Sequence, residues 1–481
     1  MKIPQKGRTR EQILEDLESF RVNDLKWRDG KTFGYVYDPG KEAEEVGKKA
    51  YMMYLTENGL DPTSFPSLLR LENEIVAMSA SNVEGDENVV GNFTSGGTES
   101  IMLAVKSARD YNRKHKPQIT APEMVLPITA HAAFHKAAKY LGVKVVPVDV
   151  DHQTFKALPE LIEEAITENT VLIVNSSPSY AHGVIDPIEQ VAAIAKQHGI
   201  LMHVDACVGG FQLPYYRRLG EPIPYFGFSI EGVTSISMDL HKYAYCPKGA
   251  SIVLYRNKDI RKAQFFACAS WTGYTVINAA VQSSKSGGPM AAAWAVLNHF
   301  GDEGYLEMAR EQLKATKAAI AGIKAIPGLS VLSQPEMCLV AFTSTEINIF
   351  HIIDEMKELG WYIQAQFSLG CSPQNIHLSI NFMNVEHVDA LLADLRTCAE
   401  KARGMGFDDD LDQIKSVLSM LDPAQVDPEV FNQALGMAGI STSALPGRMA
   451  PVNEILNSLS PEMREFVLIE FLNNLFHYSE E

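Results

Sequence analysis

A lysine stands directly after a short apolar run in Ser237-Met238-Asp239-Leu240-His241-Lys242-Tyr243. Burying an ammonium is costly unless it is paired or neutralised. Forming an imine with an aldehyde removes that isolated charge and uses a lysine of depressed pKa. Alone, Lys242 would read as a solvated turn residue, but two upstream segments reverse that reading. In Thr94-Ser95-Gly96-Gly97-Thr98-Glu99-Ser100, which runs into a helical pattern, glycines admit an anion close to the backbone. Hydroxyls and free N–H groups at the helix start would then hold a phosphate. In His203-Val204-Asp205-Ala206-Cys207 a carboxylate follows an apolar strand, at the sheet edge where ligands of such folds bind. There Asp205 can pair with a protonated pyridine nitrogen and keep the ring an electron sink. Singly, these two segments also read as capped turns. Together, in this order, they describe a holder for a phosphorylated pyridine aldehyde, pyridoxal 5′-phosphate (PLP). His131, after the run Met124–Ile128, would stack on such a ring or cap the next helix.

These residues need strand ends gathered at one edge. From about residue 88 to 300 short β-rich runs alternate with helical stretches. The strands expected are Met124–Ile128, Lys144–Val148, Val171–Ser176, Leu201–Val204, Ser235–Met238 and Ala250–Tyr255. The helices expected are Ser100–Lys114, Ala133–Leu141, Leu158–Glu168 and Ile188–His198. Strands apolar on both faces that alternate with helices predict an α/β fold with a mainly parallel sheet flanked by helices. The expected division is a helical arm over 1–65, a large PLP-binding domain over 66–305, a smaller α+β domain over 306–403 and a helical extension over 404–481. The extension shows apolar helical spacing at Ile414–Leu421 and Phe466–Phe476.

The bulk numbers exclude several classes. A formal net charge of −17 argues against a nucleic-acid surface and offers no polybasic patch to a membrane. The balance of 46% hydrophobic and 21% charged residues is that of an ordinary globular chain. No run of about 18 apolar residues predicts a transmembrane segment, and Met1 to Arg10 is polar and basic with no signal-like core. None of the six cysteines forms a C-x-x-C pair. They read as buried free thiols in a reducing cytoplasm, and no metal centre is expected.

The motifs, in this order, resemble the fold-type I PLP enzymes of the group containing glutamate, tyrosine and aromatic amino acid decarboxylases. Within that family they are similar to the sphingosine-1-phosphate lyases, whose His-Lys-Tyr and Pro-Lys-Gly segments match His241–Tyr243 and Pro247–Gly249. The likeness spans about Phe33 to Tyr305, including His182–Pro187 and His203–Gly210. It implies that Lys242 bears the cofactor, Asp205 pairs with the ring nitrogen and His131 stacks on the ring. It also implies that Gly97, Thr98 and His241 hold the phosphate, with Ser284 reaching it from the partner of a homodimer with shared active sites. Lys248 matches a second lysine of the lyases, Tyr37 a tyrosine near the substrate entrance, and Asn58 an arm residue lining the site.

Three departures fall on substrate positions. The lyase pattern Asn-Pro-Leu-His reads Asn58-Gly59-Leu60-Asp61, which sets a carboxylate where a phosphorylated substrate is expected. A catalytic tyrosine falls on Val276, with Tyr274 two residues earlier, and Gly-Ser-Arg-Pro-Gly-Gly reads Ser283–Gly288. The resemblance therefore implies a small amine or amino-acid substrate and leaves two activities open. One is cleavage of Cα–Cβ in a phosphorylated β-hydroxy amine; the other is amino-acid decarboxylation. An aminotransferase fits less well, because Ile376–Phe382 carries no carboxylate-binding arginine.

Overall fold

Runs such as Met124-Val125-Leu126 and Val171-Leu172-Ile173-Val174 have no polar face to offer water, and all seven of these residues are buried. Strands of this kind need a layer on each side, which the intervening amphipathic helices supply. The computed structural model describes residues 1–407, 411–412, 415–416, 418 and 447–478.

Seven strands form the large sheet: β1 Val90–Thr94, β2 Glu123–Pro127, β3 Lys144–Val148, β4 Thr170–Ser176, β5 Leu201–Asp205, β6 Ser235–Met238 and β7 Ser251–Tyr255. Their spatial order is β1-β7-β6-β5-β4-β2-β3. Neighbours from β6 through β3 are parallel, while β7 runs antiparallel to both β6 and β1. Only β7 is reversed, so the ends of β1, β2, β4, β5 and β6 share one edge. This is the expected α/β architecture with a mainly parallel sheet. Strand β1 was not expected, because Gly91 and Asn92 interrupt its apolar pattern. The helix after it begins at Gly97 rather than Ser100, so the glycine motif itself forms the helix start.

A hairpin, β8 Phe266–Cys268 with β9 Val276–Asn278, stands apart from this sheet. A second sheet of β10 Ser330–Val331, β11 Leu339–Thr343, β12 Gln364–Gln366 and β13 Asn375–Ser379 is antiparallel, in the order β10-β11-β13-β12. The helical run Gly287–Lys324 links the two regions and is interrupted at Gly301, whose φ of 58° suits glycine. The arm helix Lys41–Met53 packs on that run, where a Cβ at Gly47 would meet Val296 at 3.4 Å.

Helices Ala450–Ser458 and Pro461–Leu475 carry the tail. The first is seated by buried Asp354, whose two carboxylate oxygens accept from the backbone N–H groups of Met449 (2.8 Å) and Ala450 (2.9 Å). The helix expected at Ile414–Leu421 lies largely outside the described residues. No described helix is long and apolar enough to cross a membrane. All six cysteines are free, but Cys268 and Cys371 are only partly buried, because both sit on loops or hairpins rather than in the core.

Candidate active site

The shared strand edge encloses a cavity of about 400 Å³ lined by Gly97, Thr98, His131, Asp205, His241 and Lys242. They come from four strand ends: Gly97 and Thr98 after β1, His131 after β2, Asp205 at the end of β5, and His241 and Lys242 after β6.

The glycine segment is fixed from both sides. Ser95 donates its backbone N–H and its hydroxyl to Glu99 Oε2, each at 2.7 Å. Thr94 Oγ1 meets Ser100 Oγ at 2.6 Å, and Ser100 Oγ meets Ser251 Oγ at 2.9 Å, which ties the loop to the start of β7. The first intrahelical bond is Ser100 N–H to Gly96 O, and no side chain caps the helix. The N–H groups of Gly97, Thr98 and Glu99 thus have no helical acceptor and mark an anion site. A Cβ at Gly97 would lie 2.7 Å from Asp239 Oδ2 and 2.9 Å from Cys207 Sγ, so only glycine leaves this cradle open.

Asp205 ends β5, and its Oδ1 accepts from Cys207 N–H at 3.0 Å. Next to it on the strand, His203 is held between Ser235 Oγ (2.9 Å) and Ser237 Oγ (3.1 Å), and burial pulls its pKa down to about 4. His131 Nδ1 accepts from Ala133 N–H at 3.1 Å, and burial lowers its pKa as well. A neutral ring of that kind suits stacking.

Lys242 differs from the expectation in one respect. Its Nζ lies 2.9 Å from Oδ2 of buried Asp239. Burial opposes the ammonium, but Asp239 overcomes that effect and holds Lys242 above the usual lysine value. The expected depressed pKa is therefore corrected: the charge is compensated, not expelled. Burial also works against Asp239, yet Lys242 and His241 keep its carboxyl below the usual range. The sequence motif assigns Asp239 no role; its position three residues before the lysine on a strand-end turn is the available signal.

Lys248 and Tyr37 come together beside this centre. Lys248 Nζ stands 5.1 Å above the Tyr37 ring, and Tyr37 packs edge-on against Tyr243 at 5.0 Å. Burial, then the charge on Lys242, pulls Lys248 down to about 8. Burial pushes the Tyr37 phenol up, so it stays protonated. Tyr180, not anticipated, also lines the cavity and donates to Gln364 Oε1 at 2.6 Å.

The substrate positions inferred from resemblance do not line this cavity within one chain. Asn58 Oδ1 accepts from Leu60 and Lys285 N–H, each at 3.0 Å. Asp61 closes its own turn through Thr63 and Ser64, which hold its carboxyl below the usual range on the surface. Tyr274 is 65% exposed, Val276 pairs with Cys268 in the hairpin, and Ser284 is exposed.

The donor set fits PLP: a cradle open only to glycine, a carboxylate and a lysine share one cavity. Comparison with known proteins agrees. The pyridoxal-dependent decarboxylase conserved domain matches residues 1–345. The chain belongs to the pyridoxal-dependent decarboxylase family. Like other members it is a PLP-dependent enzyme. A second family, the C-terminal HTH domain of pyridoxal-dependent enzymes, matches residues 412–474. Sphingosine-1-phosphate lyase of Arabidopsis thaliana is 43% identical over 411 residues, 83% of this chain and 74% of that protein. The Rattus norvegicus lyase is 38% identical, covering 82% and 69%. Among solved structures, sphingosine-1-phosphate lyase of Burkholderia pseudomallei superposes with a TM-score of 0.80 at 35% identity, covering 84% of this chain and 93% of that one. Glutamate decarboxylase of Lactobacillus brevis, at 17% identity and a TM-score of 0.74, shares the fold.

Proposed function

We propose that the protein is a carbon–carbon lyase of the sphingosine-1-phosphate lyase type. It would cleave Cα–Cβ of a phosphorylated β-hydroxy amine to an aldehyde and an amine. The observation that carries this reading is the placement of Lys248 and Tyr37 beside Lys242. It adds a proton-moving pair, in the His-Lys-Tyr and Pro-Lys-Gly setting, to the cofactor residues. The likeness of 34–43% to seven curated sphingosine-1-phosphate lyases supports it.

Bound PLP supplies an electron sink for the carbanion left at Cα. Gly97 and Thr98 N–H groups, with His241, would hold its phosphate. Asp205 would keep the ring nitrogen protonated, His131 would cover one face and Lys242 would bind the aldehyde carbon. Lys248, near neutrality in pKa, is suited to take the β-hydroxyl proton and to return one to Cα. The Tyr37 ring, with Lys248 Nζ 5.1 Å from its centroid, would hold that amine in place. Asp239 positions Lys242.

This reading includes a homodimer. In it Asn58, Asp61, Tyr274, Val276 and Ser284, which do not line the cavity of their own chain, would complete the partner's. Exposed Trp271, Tyr274 and Ile277 on the hairpin and Ile13, Leu14 and Leu17 on the helix Arg10–Phe20 would be covered there. The division at 65, 305 and 403 and a cytoplasmic setting for the free thiols belong to the same reading.

Decarboxylation is the second reading, favoured by 32% identity to a probable L-aspartate decarboxylase of Pyrococcus furiosus, with 95% of that protein covered. The test incubates PLP-loaded protein with a phosphorylated sphingoid base and, separately, with an amino-acid panel. Long-chain aldehyde from the former is expected, and Lys242→Ala abolishes both the yellow colour and the product. CO₂ from an amino acid without aldehyde from the sphingoid base overturns the lyase assignment.

A further inference from the structure

Away from the cofactor cavity, two loops from different sheets bring three unlike ligand groups together. Asp149 and His152 follow β3 of the large sheet, and Cys371 lies between β12 and β13 of the small one. A carboxylate oxygen, an imidazole nitrogen and the Cys371 sulfur all lie within 4.8 Å of one another. His152 Nε2 is already 2.9 Å from Asp149 Oδ2.

Both loops are built rather than loose. Asp151 Oδ1 accepts from the backbone N–H of Gln153 (3.0 Å) and Thr154 (2.7 Å) and from the Thr154 hydroxyl (2.8 Å), which closes the turn around His152. Val150 pairs with Ala157 just outside it. On the other side, Leu369 and Ser372 exchange two backbone hydrogen bonds of 3.0 Å, with Cys371 inside that turn. Ser372 Oγ is in turn held by His182 Nε2 at 2.9 Å, and the His182 ring stacks on Phe155 at 4.0 Å. Phe155 belongs to the first loop's own continuation, so the two turns are locked to each other before any ion arrives.

We propose that Asp149, His152 and Cys371 form a surface site for a zinc-class divalent ion. A thiolate, an imidazole and one carboxylate are a borderline-soft set, suited to four-coordinate Zn²⁺ and poor for Mg²⁺ or Ca²⁺, which prefer oxygen alone. Three protein ligands leave the fourth position to water. Sequence spacing gives no sign of the site, because its ligands are adjacent only once both sheets are folded. An ion here would fasten the loop after β3 to the turn between β12 and β13. That turn borders a cavity of about 390 Å³ lined by His131, Tyr180 and Phe367, so the ion would fix the approach to the cofactor site from the small sheet.

The test uses tag-free, PLP-loaded protein titrated with Co²⁺, followed by the sulfur-to-cobalt charge-transfer band, with Zn²⁺ as competitor. One equivalent bound, a band displaced by Zn²⁺ and affinity at least about tenfold weaker in both Cys371→Ser and His152→Ala are expected. Cys268→Ser, which removes the other partly exposed thiol, should leave the titration unchanged. No thiolate band, or a band that survives in Cys371→Ser, overturns the proposal. The ligands are at the surface, with His152 65% and Asp149 51% exposed, so these variants should fold, which circular dichroism verifies.

Discussion

Replacing Asp239 by Asn keeps the shape of that side chain but removes the charge facing Lys242. Opposite unit charges 2.9 Å apart attract by about 6 kcal/mol at an effective permittivity of 20. Desolvation of both groups takes part of that back, and stranding one member of a buried pair costs about 3–5 kcal/mol. The stranded lysine can escape the cost by releasing its proton, and that escape gives the experiment its sign. In the parent, Lys242 titrates above its ordinary 10.5, so its stabilising contribution is fully present below that pH and is lost only as pH rises through the folded value. In Asp239→Asn, burial is unopposed and the folded pKa falls below 10.5. The unfolded chain then binds a proton that the folded chain lacks, so stability rises with pH by up to about 1.4 kcal/mol per unit until both forms are neutral. Urea denaturation of cofactor-free parent and variant at pH 7, 8, 9 and 10 should show a gap that is widest at pH 7 and narrows upward. A gap that does not change with pH, or none at all, would refute the assignment of Asp239 as the counter-charge.

Gly97→Ala, whose added carbon would stand 2.7 Å from Asp239 Oδ2, should cost about 1–3 kcal/mol of cofactor affinity. Fluorescence titration with PLP would detect this, and unaltered binding would remove the cradle from the mechanism. His182, His203 and His377 are buried with pKa values drawn down to about 4, so the stability that their neutral forms contribute is complete above about 6.5 and is lost as pH falls toward 4. Asp186, pushed up to about 6 by burial, works the other way and offsets about one of the three. Melting temperature should therefore drop steeply between pH 6.5 and 4, and a flat profile would contradict these protonation states. The parent should show an activity limb near pH 8, and Lys248→Arg, which keeps the charge and raises the pKa, should remove that limb from whatever activity remains. A limb that persists would place the titrating group elsewhere.

Much of the cofactor site was legible because His131, Asp205, His241 and Lys242 each follow a strand whose apolar run is unmistakable. Val171–Ser176, Leu201–Val204 and Ser235–Met238 announce themselves, and the motifs hang from their ends. Strand β1 has no such run, because Gly91 and Asn92 spoil its pattern, although it delivers Ser95 through Thr98 to the cavity. Asp239 was visible but mute, since its role depends on a distance to Lys242 that a turn sets and spacing alone does not. The likeness to the lyases named Asn58, Asp61, Tyr274, Val276 and Ser284. Placing them required the folded chain, in which none of the five lines its own cavity. The ligand trio of Asp149, His152 and Cys371 was illegible for a simpler reason: two turns from two sheets meet there, and no local pattern records the meeting.

The two hydrogen bonds from Met449 and Ala450 to Asp354 make the tail and the small sheet mutually dependent. Asp354 sits on the buried face of the helix Ile349–Glu358, so its carboxylate meets its acceptor needs with main-chain donors that exist only when the tail helix is docked. A chain ending before that helix would lose both donors, and water would have to take their place at the carboxylate. Variation on the tail's outer face leaves this contact untouched, whereas undocking the tail opens the acid to solvent. One buried acid thus reports whether the tail is docked.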